Sequence, residues 1–317
     1  MFEFTVGDNQ SNMRLDKVLH KVLKEAPKSF IYKMLRKKNI TLNHEKAIGS
    51  EITVFGDTIQ MFFSQETYDK MRGDREQTVP LSVDLPEIPI LYEDNDVLIF
   101  VKPAGILSQK AVDSDVSVNE WVILHAKEQG IISNSDFETF KPSVVNRLDR
   151  NTSGIMAAGL SLRGLQILSE VFRMRTLEKY YYAYVKGRVE EAFEDEGYLY
   201  KNTKTNIVRI SREEKSGAKK IRTAFEPVWV YGDSTLLKVH LLTGRSHQIR
   251  AHLSALDHPI IGDPKYGDPE TNLTYGRFMQ CLHAFSLTFP KCALEGISGK
   301  TFTTEVPEDW PLGAPGA

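Results

Sequence analysis

Leu15, Val18, Leu19, Val22 and Leu23 recur at the three- and four-residue steps that line one face of a helix. Asn12 stands ahead of them as the expected N-cap. Lys17, Lys21, Lys24 and Lys28 fall on or near the opposite side. A second short helix is predicted after Ser29, burying Phe30, Met34 and Leu35. Ile40 to Asn43 then alternates as a strand, and Gly56-Asp57 turns the chain into a further strand from Thr58 to Phe62. Residues 64 to 89 lose the periodicity. Their charges and Pro80, Pro86 and Pro89 discourage a packed element and predict a linker.

From residue 90 strand signals dominate. Val97 to Val101 is a continuous apolar run, as expected of a central strand. Leu162, Leu165, Leu168 and Phe172 describe an amphipathic helix. Tyr180 to Val185 alternates, so Tyr181, Ala183 and Val185 share one strand face, and small Ala183 leaves room for a ring beside Tyr181. Leu237, Val239 and Leu241 form one face of a strand entering Thr243-Gly244. Ile249, Leu253 and Leu256 form the stripe of the next helix, which Pro259 is expected to stop. The pattern predicts an α+β chain with a small N-terminal domain over 1–63, a linker over 64–89 and a large mixed sheet over 90–317.

Composition adds limits. A chain of 317 residues with 41% hydrophobic content fits two globular domains. No apolar run approaches the roughly 20 residues of a membrane span, and the first residues lack the basic and apolar regions of a secretory signal. Cys281 and Cys292 are too few for a disulfide framework or a structural zinc site, and both are expected to be buried thiols. A cytoplasmic enzyme is the expectation. Residues 14 to 46 carry ten Lys or Arg against three Asp or Glu, a local charge of +7 in a chain whose total is −2. Such asymmetry points to a polyanionic partner. The plainer reading is a solvated lysine face on a small helical domain.

Candidate chemistry centres on residues 146 to 154, Asn-Arg-Leu-Asp-Arg-Asn-Thr-Ser-Gly. Arg147 and Arg150 flank Asp149, and each favours an ionised carboxylate. A positioned, ionised aspartate can act as nucleophile or base, and the guanidiniums can hold phosphate. Taken alone, the same residues also suit an ordinary surface turn.

This segment resembles the central motif of the RluA family of pseudouridine synthases, in which Arg-Leu-Asp followed by Thr-Ser-Gly carries the catalytic aspartate. The family usually has His where this chain has Asn146. Tyr92-Glu-Asp with Lys102-Pro-Ala-Gly105 is similar to the family's entry strand and loop. Lys179-Tyr-Tyr181-Tyr-Ala183 is similar to its tyrosine motif, and 242–250 with Leu282-His-Ala284 to its closing motifs. These cover roughly residues 90 to 290 in the family's order. The N-terminal segment resembles an RNA-binding domain of the ribosomal-protein S-four type, through Arg14-Leu-Asp-Lys17 and the late Gly56-Asp57.

The resemblance implies a large mixed, mostly antiparallel sheet and conversion of uridine to pseudouridine in structured RNA. It implies Asp149 as nucleophile, Tyr181 stacking on the uracil with its hydroxyl assisting proton removal from C5, and Arg250 pairing with Asp149. Arg147 would fill the space left by the extruded base, and Arg245 would be structural or bind phosphate, the roles of Arg245 and Arg250 remaining open to exchange. Further RNA contacts are expected from His247, Lys17, Lys21, Arg36, Lys37 and Lys38. As an isomerisation, the reaction requires no cofactor, metal or nucleotide energy source. The expected partner is RNA, ribosomal first and transfer RNA second, met by a monomer without a membrane. Two rivals stand beside this. One is a noncatalytic RNA-binding protein of the same fold. The other is a metal-dependent hydrolase built on the five histidines between His240 and His283. His247 and His252 lack the i, i+4 spacing of a helical zinc pair; they are expected to bond backbone or RNA phosphate.

Overall fold

The computed structural model describes residues 1–73, 84–112, 114–132, 139–201 and 207–313. The N-terminal part comprises β1 (Phe2–Thr5), α1 (Leu15–Val22), α2 (Lys28–Arg36), β2 (Ile40–Leu42), β3 (Glu45–Lys46) and β4 (Thr58–Met61). Its strands form an antiparallel sheet in the order β1-β4-β2-β3. The apolar row of α1 is buried against it as the spacing requires. Three details depart from the sequence reading. Arg14, not Asn12, is the N-cap of α1, and it makes no side-chain cap bond. The first helical amides are taken by backbone instead: Leu15 N donates to Glu51 O and Asp16 N to Gly49 O. α2 starts at Lys28, and Ile31 fills the core while Phe30 is half-buried.

The third departure lies in the expected linker. α3 (Gln65–Arg72) is capped by Ser64, whose side chain accepts from Thr67 N. Tyr68 is buried in the N-terminal core and stacks on Phe2 with ring centroids 3.7 Å apart. Met71 also packs on that core and its carbonyl accepts from Glu25 N, so a cap and two side chains dock an otherwise charged helix. Residues 74–83 of the expected linker lie outside the described residues.

The remaining strands are β5 (Ile90–Glu93), β6 (Val97–Lys102), β7 (Ser143–Val144), β8 (Ser153–Gly159), β9 (Glu178–Lys186), β10 (Phe193–Lys201), β11 (Val208–Ser211), β12 (Lys219–Tyr231), β13 (Ser234–His240), β14 (Leu282–Thr288) and β15 (Thr301–Thr303). They form one sheet along the path β11-β10-β12-β13-β9-β14-β8-β6-β5, with β15 on β14 and β7 on β8. Among the described strand pairs only β14–β8 is parallel, so the sheet is mixed and mostly antiparallel. The helices are α4 (Val118–Glu128), α5 (Leu162–Met174), α6 (Gln248–Ala255) and α7 (Pro269–Thr274). The apolar run of β6 is central, as expected. Tyr181, Ala183 and Val185 of β9 join Leu237, Val239 and Leu241 in the main core, and Ile249 and Leu253 of α6 cover them. α6 ends at Ala255, where Asp257 takes a φ of 62°, before Pro259 is reached. Cys281 is fully buried, whereas Cys292 is only half-buried.

The two sheets meet through polar side chains. Asn9 accepts from Leu162 N at 2.8 Å, at the first turn of α5, and Gln10 donates to Thr139. No helix among the described residues is long and apolar enough to cross a membrane.

Gly154 fixes the parallel pairing. It holds a φ of 120° opposite Ala284, and an added Cβ would overlap the Ala284 backbone. Gly154→Ala should therefore lower unfolding free energy by about 3 kcal/mol, from strain and overpacking together. Urea titration checks this; a loss below about 1 kcal/mol would contradict so tight an approach.

Candidate active site

Between β7 and β8 the chain makes the turn that carries Asp149, closed by Thr152 N donating to Asp149 O at 3.0 Å. Both neighbours of Asp149 are clamped by the segment after β6. Leu148 is buried; its N–H donates to Ser108 Oγ at 3.0 Å, and that hydroxyl donates back to Leu148 O at 2.8 Å. Gly105 N donates to Arg150 O. Lys102, fully buried at the end of β6, donates to the carbonyls of Pro103, Ile106 and Arg150 at 2.7, 2.8 and 2.9 Å. Burial pushes the Lys102 ammonium down to about 7, against the opposing pull of the Asp149 charge. Asn146 accepts from Ala157 N at 2.8 Å and so ties the turn to β8. An amide can do this where the family's usual residue is His.

The Asp149 side chain is partly exposed and receives Arg250 Nη1 at 2.6 Å. Arg250 projects from the first turn of α6 and is almost wholly buried. Its other donors go to Asp263, Nε at 2.7 Å and Nη2 at 2.8 Å. Asp263 is itself buried and also accepts from the backbone of Lys265 and Tyr266. Burial opposes the Arg250 charge, but the two carboxylates, Asp263 above all, outweigh it and raise the guanidinium's pKa further. The Tyr266 ring lies with its centroid 5.1 Å from the guanidinium, a cation–π contact. The Tyr266 hydroxyl bonds His247 Nδ1 at 2.8 Å. The other nitrogen of His247 lies 3.9 Å from Asp149. Burial lowers the His247 pKa, favouring the neutral ring.

Tyr181 lies in the main core at the same place. Burial first, and then the Asp149 charge, push its phenol pKa up. Thus Asp149, Tyr181, Arg250 and His247, distant in sequence, form one electrostatic cluster. Arg147 and Arg150 are not part of it. Both are exposed: alternate residues of the turn point outward while Leu148 points in. Arg150 is 4.0 Å from Asp115, on the rim of a pocket of about 260 Å3 lined by Gly105, Ile106, Leu107 and Val116. Arg147 has no ion-pair partner among the described residues. Arg245 is half-buried in the turn before α6, and its Nε has no hydrogen-bond partner.

The histidines do not converge. His252 is fully buried between Asp195, at 2.6 Å, and Thr223, at 3.1 Å, so it meets neither backbone nor phosphate. His247 bonds a tyrosine hydroxyl rather than backbone. Among the described residues no three His, Cys, Asp or Glu side chains form a metal-holding group. In the N-terminal part, Lys17, Arg36, Lys37 and Lys38 are exposed. Lys21 is half-buried with its ammonium against the Met13 sulfur at 3.8 Å, turned away from an open basic face. Asp263 and Tyr266 escaped the sequence reading. Their one signal was a turn-forming Gly262-Asp-Pro run, which says nothing of a buried arginine.

Removing one partner from a buried ion pair leaves an uncompensated charge. Asp263→Asn should cost about 3 kcal/mol of stability. Urea unfolding of the variant tests it, and a loss near zero would show that Arg250 needs only Asp149.

Comparison with known proteins gives a consistent answer. The family model described as RNA pseudouridylate synthase matches residues 96–255. Ribosomal large subunit pseudouridine synthase C of Haemophilus influenzae is 30% identical over 296 residues, covering 90% of this chain and 86% of that protein. An uncharacterised RNA pseudouridine synthase of Mycoplasma genitalium is also 30% identical, covering 91% of this chain and 89% of its own. The solved structure of human RNA pseudouridylate synthase domain containing 4 shares the fold, with a TM-score of 0.56 at 22% identity over 69% of this chain and 89% of that chain. The motifs, the sheet and these matches agree: the chain belongs to the RNA pseudouridylate synthase family.

Proposed function

We propose that the protein isomerises specific uridines in large-subunit ribosomal RNA to pseudouridine, with Asp149 as the nucleophile. The observation that carries the assignment is the 2.6 Å contact between Asp149 and a buried Arg250 that Asp263 holds from behind. The aspartate is fixed in direction yet still partly open to a substrate. Relatives named as large-subunit synthases, matched along nearly the whole chain, support the choice of RNA. Transfer RNA is the second candidate substrate. The working place is the cytoplasm, and the active unit is a monomer.

In this reading the uridine is extruded from its stack, at a cost of a few kcal/mol. The exposed, unpaired Arg147 guanidinium enters the vacated space, where a planar cation can stack on bases and bond phosphate. The uracil lies on Tyr181. Asp149 forms a transient bond to the nucleotide and the bond between base and ribose breaks; the base turns, C5 bonds to the ribose, the bond to Asp149 breaks, and the C5 proton passes to the freed carboxylate or to water. Burial beside Asp149 disfavours the Tyr181 phenolate, so Tyr181 serves as a stacking platform and a hydrogen-bond donor rather than as the base. Arg250 fixes the direction of the carboxylate in a partly dry cleft. Arg245 and His247 contact the RNA backbone at the rim. Lys17, Arg36, Lys37 and Lys38 give the S-four-like domain its affinity for RNA phosphates, and Lys21 supports them from below.

Asp149→Asn keeps the shape and removes the nucleophile. Pseudouridine should become undetectable in a ribosomal RNA transcript that the wild type converts, while RNA affinity changes by no more than about twofold. Substantial turnover by the purified variant sinks the nucleophile assignment. Conversion of transfer RNA but not of ribosomal RNA by the wild type would move the substrate to the second candidate.

The basic N-terminal surface makes a separate prediction. Replacing Arg36, Lys37 and Lys38 together by Gln should weaken RNA binding and flatten its salt dependence. The slope of log affinity against log salt should fall by about 2 to 3. Turnover at saturating RNA should persist. Equal affinity and slope for both proteins would reduce this face to a solvated surface.

A further inference from the structure

We propose that Lys179 is a phosphate-binding residue of the active-site cleft, holding the RNA backbone next to the uridine that stacks on Tyr181. This deepens the functional reading above and rests on it. Lys179 lies two residues before Tyr181 in β9, so the two side chains leave the same strand face about 7 Å apart. On the β13 side Leu241 N donates to Lys179 O at 3.0 Å, while on the β14 side the register shifts between Ala284 and Ser286, opposite Tyr181 and Tyr180. Glu178 points to the other face and cannot neutralise Lys179 along the strand. A ribose bridges a base on Tyr181 to a phosphate over Lys179.

Among the described residues no carboxylate pairs with Lys179. Lys179 is half-buried and has no hydrogen-bond or ion-pair partner among the described residues. Its ammonium packs against the turn before α6: a Cβ added to Gly244 would lie 3.9 Å from Lys179 Nζ. Arg245, the next residue of that turn, has a buried Nε without an acceptor. Burial and the like charge of Arg175 both press the Lys179 pKa down. Buried donors without partners are costly and rare. One buried donor, Arg245 Nε, and the half-buried Lys179 ammonium at the same turn suit a ligand that brings its own oxygens and negative charge. In a cleft that receives RNA that ligand is a phosphodiester. Lysine meets it as a point charge, so Lys179 would fix position without reading sequence.

The test uses the full chain and a ribosomal RNA fragment that the wild type modifies. Affinity is measured at several salt concentrations, with single-turnover pseudouridine formation, for wild type, Lys179→Met and Lys179→Arg. A second set of substrates carries a neutral methylphosphonate at one phosphate flanking the target. Lys179→Met should weaken binding about tenfold and flatten the salt slope by about 1, with little change in the rate at saturation. Lys179→Arg should retain most of the affinity. One neutral linkage should weaken the wild type but not Lys179→Met. Unchanged affinity and slope in Lys179→Met overturns the proposal, as does a lost rate with unchanged affinity. If the wild type forms no pseudouridine in any RNA, the functional reading fails instead, and the binding and methylphosphonate results still decide the phosphate contact.

Discussion

A guanidinium withdrawn from water must be met by fixed acceptors, and Arg250 is met by two carboxylates. Asp263 takes Nε and Nη2, which leaves Nη1 to point at Asp149. The direction of the aspartate follows from that geometry. So does much of its setting. α6 must present Arg250 from its first turn, and His247 must enter the helix with a φ of 54°. Tyr266 then covers the guanidinium and bonds His247. On the other side, Lys102 and Ser108 grip the carbonyls that flank Asp149. The carboxylate is thus held from its backbone by one segment and from its oxygens by another.

The legibility of this arrangement followed sequence distance. The α1 stripe, the β6 run and the alternation of β9 are local patterns, and the fold kept all three. Tyr181 and Arg250 were named through the family motifs they resemble, Asp149 also through its flanking arginines, and the structure brings the three together. Their immediate electrostatics were not legible. Arg147 and Arg150 adjoin Asp149 in sequence, yet the turn sends both outward, and the partner comes from a residue 101 positions away. Asp263 was invisible because no period links a loop aspartate to a helix arginine. α3 was missed for the opposite reason: it docks through Ser64, Tyr68 and Met71, too little signal to rise above a run of charges.

Charge is distributed by function rather than by total. The N-terminal helices expose cations to solvent, where they act on any polyanion and are screened by salt. Around Asp149 the charges are buried and paired, and they alternate from Asp263 through Arg250 to Asp149. Attraction along such a chain is short-ranged and directional, so it orders the site without drawing RNA into it. Asn9 and Gln10 join the two regions through neutral hydrogen bonds, leaving the basic surface free of internal acids at that contact.

The same burial sets what each ionisable group can do. Burial, and then the neighbouring carboxylate, push the Tyr181 phenol pKa further up. Lys102 has lost part of its preference for the charged form, yet three carbonyls and Asp149 hold its ammonium in place. Asp149 combines a fixed position with access from outside. The proposed role as nucleophile would need both, because a fully buried carboxylate cannot reach a nucleotide and a free one loses orientation. Among the charged groups of the cluster, only this residue meets the two conditions together.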